Sequence, residues 1–204
     1  MKTVAELPFV AGHVALDFVN TAEERGHPEA EDALSKAADL RLWGQRYGLL
    51  APETVGDDDD EAEFSRAIEA RELLYALFLA RRTGLPPAQA EVAKLGELGA
   101  EAYQAGILHR HRDGTIGWSW DRSRLHSIRH VAVTGAIDLL AAEPTTRLKQ
   151  CPGDHCGWFF LDTTKRGNRR WCSMAECGQD AKDEYRRIQR QATRPSAGTG
   201  RPGI

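Results

Sequence analysis

Apolar residues recur at three- and four-residue intervals through most of the N-terminal two thirds of the chain, and short stretches rich in glycine, proline and charge interrupt them. Such a period places apolar side chains on one face of an α-helix that packs against a core. The clearest example covers residues 32–48, where Leu40, Trp43 and Tyr47 share a face and Gly48 provides a C-terminal stop. The same pattern predicts further helices at residues 64–83, at residues 87–103, and from a cap at Asp121 or Ser123 to residue 140.

Two other segments have a different pattern. Residues 9–20 mix apolar residues with glycine and histidine, which predicts a short strand turning into a helix. Residues 107–111 and 115–120 are β-prone and flank an Asp113-Gly114 pair. Because Asp-Gly readily adopts the positive φ angles of a tight turn, these residues predict a β-hairpin.

The composition is that of a folded globular protein. Apolar residues make up 41% and charged residues 28% of the 204 residues, which excludes disorder of the whole chain. The acidic run at residues 57–61 is predicted to be a solvated loop. No stretch approaches the roughly 18 consecutive apolar residues of a membrane helix, and the N-terminus lacks the pattern of a secretion signal. We therefore expect a cytoplasmic protein with no membrane partner.

The net charge of −3 conceals an asymmetry between the two parts of the chain. Residues 147–204 hold 12 Lys and Arg against 6 Asp and Glu, whereas residues 1–146 hold 15 against 24. The chain is therefore an acidic body followed by a basic segment. Such a segment favours an anionic partner, and nucleic acid is the first candidate.

All four cysteines of the chain lie in the basic segment, as Cys151-x4-Cys156 and Cys172-x4-Cys177 with fifteen residues between the pairs. Two close pairs on a longer arm suit a tetrahedral Zn²⁺, and a shell of four thiolates is closed to water and substrate. We predict one structural Zn²⁺ held by these cysteines. The alternatives are four unrelated thiols or a redox pair, for which two intervening residues are usual. His155 is not counted as a ligand, because four sulfurs already satisfy the ion.

The residues around the cysteines predict the rest of a zinc module. Residues 158–161 and 169–171 are β-prone and separated by turn formers, which predicts a hairpin. After Cys177, Ala181, Tyr185 and Ile188 recur on one helical face. The chain thus has a turn with the first cysteine pair (the first knuckle), a hairpin, a turn with the second cysteine pair (the second knuckle) and a helix. This order is that of a treble-clef-like zinc finger. A module this small gains much of its folding free energy from the metal.

These patterns define the fold class and the division of the chain. We expect a mainly α protein with a small β-hairpin, in which a helical N-terminal domain precedes a treble-clef-like zinc finger (α+β). The expected domains are residues 1–144 and 145–194, with the boundary at Pro144. Residues 195–204 are rich in glycine and proline and are predicted to be a flexible tail.

The segment CPGDHCGWFFLDTTKRGNRRWCSMAECGQDAK resembles the CGNR-type zinc finger of bacterial proteins, and FVAGHVALDFVNT, DLRLWGQRYGLL and ARELLYALFLA resemble the ABATE domain that accompanies it. The resemblance covers almost the entire chain and implies a stress-related transcriptional regulator. One departure is that Gln179 and Asp180 stand where the family has Asn and Arg. If that Arg contacts phosphate or fixes the finger against its helix, this contact is absent here.

The leading functional hypothesis is a DNA-binding regulator, because Lys and Arg side chains match phosphate oxygens and release counterions when they bind. The candidate DNA contacts are basic residues of the predicted hairpin and the last helix: Lys165, Arg166, Arg169, Arg170, Lys182, Arg186, Arg187 and Arg190. The alternatives are a solvated basic helix that balances the acidic body, and a zinc-stapled protein-interaction module without nucleic-acid binding. A homodimer is expected of a regulator that reads paired half-sites.

The N-terminal domain is a candidate sensor of a small-molecule effector. Its polar candidates are His13, Asp17 and Asn20, together with His109, His111 or His126. Isolated residues of these types more often satisfy backbone groups or lie at the surface. No Walker loop, G-x-S-x-G elbow or H-E-x-x-H helix is present, so we expect no enzyme.

Overall fold

Six α-helices and three pairs of short antiparallel strands are found in the part of the chain that the structure describes. The computed structural model describes residues 3–23, 25, 30–142, 147–154 and 156–192. The helices are α1 (Val14–Val19), α2 (Ala37–Tyr47), α3 (Asp60–Thr83), α4 (Gln89–Ala105), α5 (His126–Ala141) and α6 (Cys177–Ala192). The strands are β1 (Ala22–Glu23), β2 (Glu31–Asp32), β3 (Ile107–Arg110), β4 (Ile116–Ser119), β5 (Leu148–Gln150) and β6 (Phe159–Leu161). The fold is mainly α with small strand pairs, as the sequence predicts.

The helices predicted from periodicity are all present, and α2, α4 and α5 begin later than predicted. Helix α2 ends at Gly48, whose φ of 82° is the left-handed conformation of a C-terminal cap. It begins after residue 36 because Asp32 is paired in the short strand β2 and accepts a hydrogen bond from the Leu34 N–H. Helix α5 begins at His126 because Asp121 caps a turn through the N–H and hydroxyl of Ser123 instead of capping the helix.

The prediction of an acidic loop at residues 57–61 is partly wrong, since α3 already begins at Asp60. The Asp60 side chain is buried against α2, where its carboxylate accepts a hydrogen bond from Arg41. A cation from a neighbouring helix therefore compensates a charge that the local sequence assigns to solvent. Acidic residues in the first turn also interact favourably with the positive end of the helix dipole.

The first apolar segment contains only a helix. Residues 14–19 form α1, and the residues before it form no strand, contrary to the prediction for residues 9–20. Instead, the Ala11 carbonyl accepts a hydrogen bond from the Leu161 N–H of β6 at 2.8 Å. The N-terminal segment thus completes an edge of a strand that lies far along the chain.

Trp43 of α2 is fully buried at the centre of the core, where its ring lies 5.0 Å from that of Tyr47 and 5.5 Å from that of Phe18. Helix α1 contacts both α3 and α5, and the hairpin of β3 and β4 follows α4 as predicted. No helix among the described residues is long and apolar enough to cross a membrane.

The strand pairing in the zinc segment differs from the predicted hairpin. Strand β6 pairs with β5, which precedes the first cysteine, while residues 169–171 form no strand. The Lys149 ammonium group of β5 donates to the Arg169 carbonyl at 2.9 Å and to the Gly167 carbonyl at 2.6 Å. These carbonyls are therefore bound by a side chain instead of a neighbouring strand.

The hydrophobic cores of the body and of the zinc segment are continuous. Phe159 and Phe160 of β6 are fully buried, and the Phe159 ring lies 5.5 Å from Tyr75 and 6.1 Å from Phe78 of α3. Buried residues of both parts belong to one cluster. The predicted division at residue 144 remains a prediction, and Pro144 and the predicted tail at 195–204 lie outside the described residues.

Candidate metal centre and basic surface

The four cysteines converge at one point between β5, β6 and the start of α6. Their sulfur atoms all lie within 4.8 Å of one another, and no cysteine is in a disulfide. The Sγ atoms of Cys156 and Cys172, and those of Cys172 and Cys177, are 3.6 Å apart. Zn–S bonds of about 2.3 Å in a tetrahedron separate the sulfurs by about 3.8 Å, so the donor set fits zinc.

Crowding of the thiols favours a bound cation. The hydrogen bond from the Cys156 thiol lowers the pKa of Cys151, while sharing protons with Cys151 raises the pKa of both Cys156 and Cys172. Four thiolates cannot lie this close together without a compensating positive charge. Thiolates are the ligands of closed structural zinc sites, so these cysteines are positioned to hold one structural Zn²⁺.

The turns around the cysteines are shaped by close approach of the chain to the sulfurs. A Cβ atom at Gly153 would lie 3.1 Å from both Cβ and Sγ of Cys177, so a larger residue would push the two knuckles apart. The Cys172 N–H points to the Cys151 sulfur at 3.5 Å. His155, which the sequence analysis does not count as a ligand, lies outside the described residues.

The loop between β6 and Cys172 is organised by the buried carboxylate of Asp162. This carboxylate accepts hydrogen bonds from the Lys149 ammonium at 2.6 Å, the Thr164 N–H at 3.0 Å and the Arg169 N–H at 2.8 Å. Burial raises the pKa of Asp162, but the hydrogen bonds from Lys149 and Thr164 hold this pKa well below its usual range. The loop that carries the candidate DNA contacts is therefore fixed by an ionised group at its base.

The basic residues predicted on this loop have two different environments. Lys165, Arg166 and Arg170 are exposed. The Arg169 guanidinium turns towards the body, where it donates to the carbonyls of Val10 at 2.8 Å, Leu161 at 3.2 Å, Trp171 at 3.0 Å and Cys172. It also lies 4.4 Å from the centre of the Phe160 ring.

The basic residues predicted on the last helix, namely Lys182, Arg186, Arg187 and Arg190, are all exposed on α6. Two of them form ion pairs within the helix, Arg186 with Asp183 at 3.0 Å and Arg187 with Glu184 at 2.7 Å. Of the residues that depart from the family pattern, the Gln179 amide donates to Asp183 at 2.9 Å, and Asp180 is exposed in the first turn. An acidic residue there interacts favourably with the helix dipole.

The structure does not gather the polar candidates of the N-terminal domain into one site. His13 caps α1 by accepting from the Ala15 N–H at 3.3 Å. Asp17 is buried and accepts from the Ala11 N–H at 3.0 Å and the Tyr47 hydroxyl at 3.1 Å. The others lie elsewhere, His109 and His111 next to each other on the hairpin and His126 against His130 on α5.

Asn20 has a role that no sequence pattern predicts. Its side-chain amide donates to the Phe159 carbonyl at 2.8 Å and accepts from the Phe159 N–H at 2.9 Å. It therefore pairs with the open edge of β6 as a neighbouring strand would. Together with Arg169, this residue connects the zinc segment to the body through backbone groups. Periodicity and spacing do not reveal such a contact, because the partner is a main-chain group far along the sequence.

Two family models match the chain, and between them they span nearly all of it. The ABATE model, described as "Putative stress-induced transcription regulator", matches residues 12–143. The model of the CGNR zinc finger matches residues 147–190, which include all four cysteines. A comparison with curated proteins found no significant match. Both matches confirm the architecture that the sequence motifs indicate.

Proposed function

The chain belongs to the ABATE family and carries a CGNR zinc finger, and from this premise we propose that it is a transcriptional regulator that binds duplex DNA. The zinc finger supplies the DNA contacts in this proposal. The same premise favours a regulator over an enzyme, and the free cysteines suit a reducing, cytoplasmic location.

One observation carries the proposal: two exposed basic elements are attached to the same zinc centre. The loop that carries Lys165, Arg166 and Arg170 leads directly into Cys172, and α6 begins at Cys177. A single ion that holds both cysteines therefore fixes the loop and the helix relative to each other. A rigid arrangement of cations loses little entropy when it binds phosphates.

The ion pairs within α6 do not prevent phosphate binding. Arg186 and Arg187 pair with carboxylates on exposed positions of the same helix. Exposed pairs of this kind contribute only about 0–1 kcal/mol, so exchanging the carboxylate for a phosphate costs little. Arg169 is already bound to backbone carbonyls, so we assign it to positioning the loop.

The test is a fluorescence anisotropy titration of the zinc-loaded full chain with random-sequence duplexes at several salt concentrations. Arg166→Ala, Arg170→Ala and Arg190→Ala should each weaken binding severalfold and reduce the slope of log K against log salt by about 0.9. Arg82→Ala is the matched control, because Arg82 is exposed on α3 and has no partner among the described residues. Absence of any duplex binding at low salt would refute the proposal.

A protein-interaction module is the second candidate function, and the apolar face of α6 favours it. Tyr185 is 64% exposed and Ile188 is 51% exposed, and both line a groove beside Trp171 and Pro152. This face is also where a homodimer could form. Sedimentation of the wild type and of Tyr185→Ala/Ile188→Ala shows whether this face binds a second copy of the chain, because a dimer through this face should dissociate in the variant. Absence of duplex binding by the wild type, together with an assembly that dissociates in this variant, would favour the interaction module.

A groove in the described part of the body is a candidate site for an effector of the regulator. This groove of about 540 Å³ between α3, α4 and α5 is lined mainly by apolar side chains, including Leu77, Leu85, Val92, Leu95 and Leu140. Sites for small molecules typically have volumes of about 300–1,000 Å³. We propose this groove as the place where an apolar effector would bind. Saturable quenching or a thermal shift with apolar compounds, abolished by Leu95→Arg, would support it.

A further inference from the structure

The β3–β4 hairpin exposes large apolar side chains on the surface of the body. Ile107 is 69%, Leu108 55%, Ile116 73% and Trp118 40% exposed. Exposed apolar patches of several hundred Å² on a globular protein mark interaction sites more often than chance. This hairpin plays no part in the zinc centre or in the core.

The register of the hairpin places basic and apolar side chains on the same face. Leu108 is paired with Trp118, and Arg110 is paired with Ile116. Because side chains alternate between the faces of a strand, these four project from one face of the ribbon. The opposite face carries His109 and His111, whose rings lie 4.4 Å apart.

The side chains of Arg110 and Arg112 near the tip are exposed and form no hydrogen bond or ion pair with any residue that the structure describes. Several other arginines of the body are paired, as Arg71 is with Asp32 at 2.6 Å and Arg129 with Glu63 at 2.6 Å. The body holds an excess of acidic residues, but none of the described ones pairs with Arg110 or Arg112. Unpaired cations beside an apolar surface are complementary to an anionic partner with apolar parts.

We propose that the hairpin is a second DNA-contacting element, a proposal that rests on the function proposed above. A two-stranded ribbon fits the major groove, which is about 12 Å wide, and arginines also enter minor grooves. Arg110 and Arg112 bind phosphates, and Ile116 packs against the deoxyribose walls of the groove. Duplex DNA fits this surface because it offers closely spaced phosphates and apolar sugar edges together.

The hairpin is held firmly enough to act as a contact element. The Trp120 indole N–H donates to the Ala102 carbonyl of α4 at 2.7 Å, and the Trp118 ring lies 5.1 Å from that of Tyr103. Helix α4 is in turn connected to α3, because the buried Arg129 guanidinium donates to Glu63 of α3 at 2.6 Å and to Glu101 of α4 at 3.0 Å.

Helix α3 also contacts the zinc segment, so one helix connects the finger to the part of the body that carries the hairpin. Arg66 lies at the end near the hairpin, and Tyr75 and Phe78 lie where β6 docks. At 1.5 Å per residue, these points are about 14–18 Å apart along the helix.

The experiment compares duplex binding by the zinc-loaded full chain and by Arg110→Ala/Arg112→Ala at several salt concentrations. We expect roughly tenfold weaker binding and a salt slope smaller by about 1.8. Ile116→Ala should weaken binding without changing the salt slope, because an apolar contact releases no counterions. Arg82→Ala/Lys36→Ala removes two exposed cations elsewhere on the body and should leave affinity within about twofold. Circular dichroism and thermal unfolding of each variant check the fold.

The outcomes separate this inference from the function on which it rests. If Arg166→Ala/Arg170→Ala weakens binding while the hairpin variant keeps wild-type affinity and salt slope, the hairpin proposal is wrong and the finger proposal stands. If the wild type binds no duplex, both proposals are wrong. If the hairpin variant loses binding to vesicles of anionic phospholipid but not to DNA, the partner of the hairpin is a membrane. If the hairpin variant differs from the wild type in sedimentation, the partner is a second copy of the chain.

Discussion

Arg169 and Arg170 are adjacent in the chain, yet their guanidinium groups have different environments. Arg169 donates to four backbone carbonyls, from Val10, Leu161, Trp171 and Cys172, whereas Arg170 is exposed and lies 5.6 Å from the Trp171 ring. Charge alone makes the two residues equivalent as candidate phosphate contacts. Their neighbours in space make the first a connection between loop and body and the second an available cation.

Arg169→Ala should lower the free energy of unfolding by about 2–4 kcal/mol, because several carbonyls lose a charged donor. Arg170→Ala is the matched control and should stay within about 0.5 kcal/mol of the wild type. Urea unfolding of both variants measures the difference. Arg169→Lys should recover little, since one ammonium group cannot reach all of the carbonyls. Equal stabilities of the two alanine variants would contradict the role of Arg169 as a connection.

Burial raises the pKa of Asp17 to about 6, against hydrogen bonds from the Ala11 N–H and the Tyr47 hydroxyl that lower it. The folded protein therefore binds this proton more tightly than the unfolded chain. At pH values below its ordinary pKa, Asp17 does not lower the free energy of unfolding. As the pH rises through 6, the buried carboxylate lowers the free energy of unfolding by up to about 3 kcal/mol.

Asp17→Asn removes this titration while it keeps an acceptor for the Ala11 N–H. The free energy of unfolding of the variant minus that of the wild type should increase by up to about 3 kcal/mol between pH 4 and pH 8. Urea unfolding at both pH values measures this gain. Tyr47→Phe removes only the hydroxyl donor and should make the wild-type pH dependence steeper. A difference between Asp17→Asn and wild type that does not vary with pH would show that this carboxyl does not titrate between them.

At the scale of elements, α6 depends on the zinc centre more than any other helix does. It begins at Cys177, and Tyr185 and Ile188 on its apolar face are more than half exposed. Isolated helices shorter than about 12–15 residues are marginal in water even when rich in alanine, and α6, with 16 residues, is barely longer. The metal at its first residue therefore replaces the tertiary packing that stabilises the other helices.

Removal of zinc with a strong chelator under reducing conditions should reduce the helical circular dichroism signal by an amount that corresponds to the 16 residues of α6. The unfolding temperature should fall as well, because Cys151 and Cys172 belong to the shared core. Addition of Zn²⁺ should restore both signals, and Mg²⁺, which prefers oxygen ligands, should restore neither. A spectrum unchanged by chelation would contradict this dependence.

The elements that the sequence predicts well are those set by local patterns. Periodicity predicts α2 to α5, the Asp113-Gly114 pair predicts the hairpin, and cysteine spacing predicts the convergence of the four thiols. The sequence does not predict strand β5, because this strand has only three residues and gains its stability from pairing with β6. The burial of Asp60 was missed because its partner, Arg41, lies on another helix. Contacts between distant segments decide both features, and no local pattern records them.

At the scale of the whole molecule, the body and the zinc segment are connected by backbone pairing as well as by apolar contact. Asn20 occupies the edge of β6 from one side, and β5 occupies the other. Phe159 then lies between the strand pair and α3. Zinc binding and packing of the body should therefore depend on each other, since both hold β6 in place.

Asn20→Ala leaves the Phe159 N–H and carbonyl buried without their partner, so the free energy of unfolding should fall by about 2–4 kcal/mol. Zinc should also be lost faster to a competing chelator, although Asn20 is not a ligand. Asn168→Ala, at an exposed position of the zinc segment, should change neither quantity. Lower stability with an unchanged rate of zinc loss would show that the two parts are independent.

The pairing of Asn20 with Phe159 also has a consequence for biosynthesis, because the two residues are 139 positions apart. Ribosomes add roughly 5–20 residues per second, so α1 waits on the order of ten seconds for the strand that completes it. During that interval the nascent N-terminal region lacks its long-range partner and exposes apolar surface that chaperones recognise. Such distant contacts also make folding slow. A ribosome stalled before β6 should therefore carry a nascent chain that proteases cleave readily.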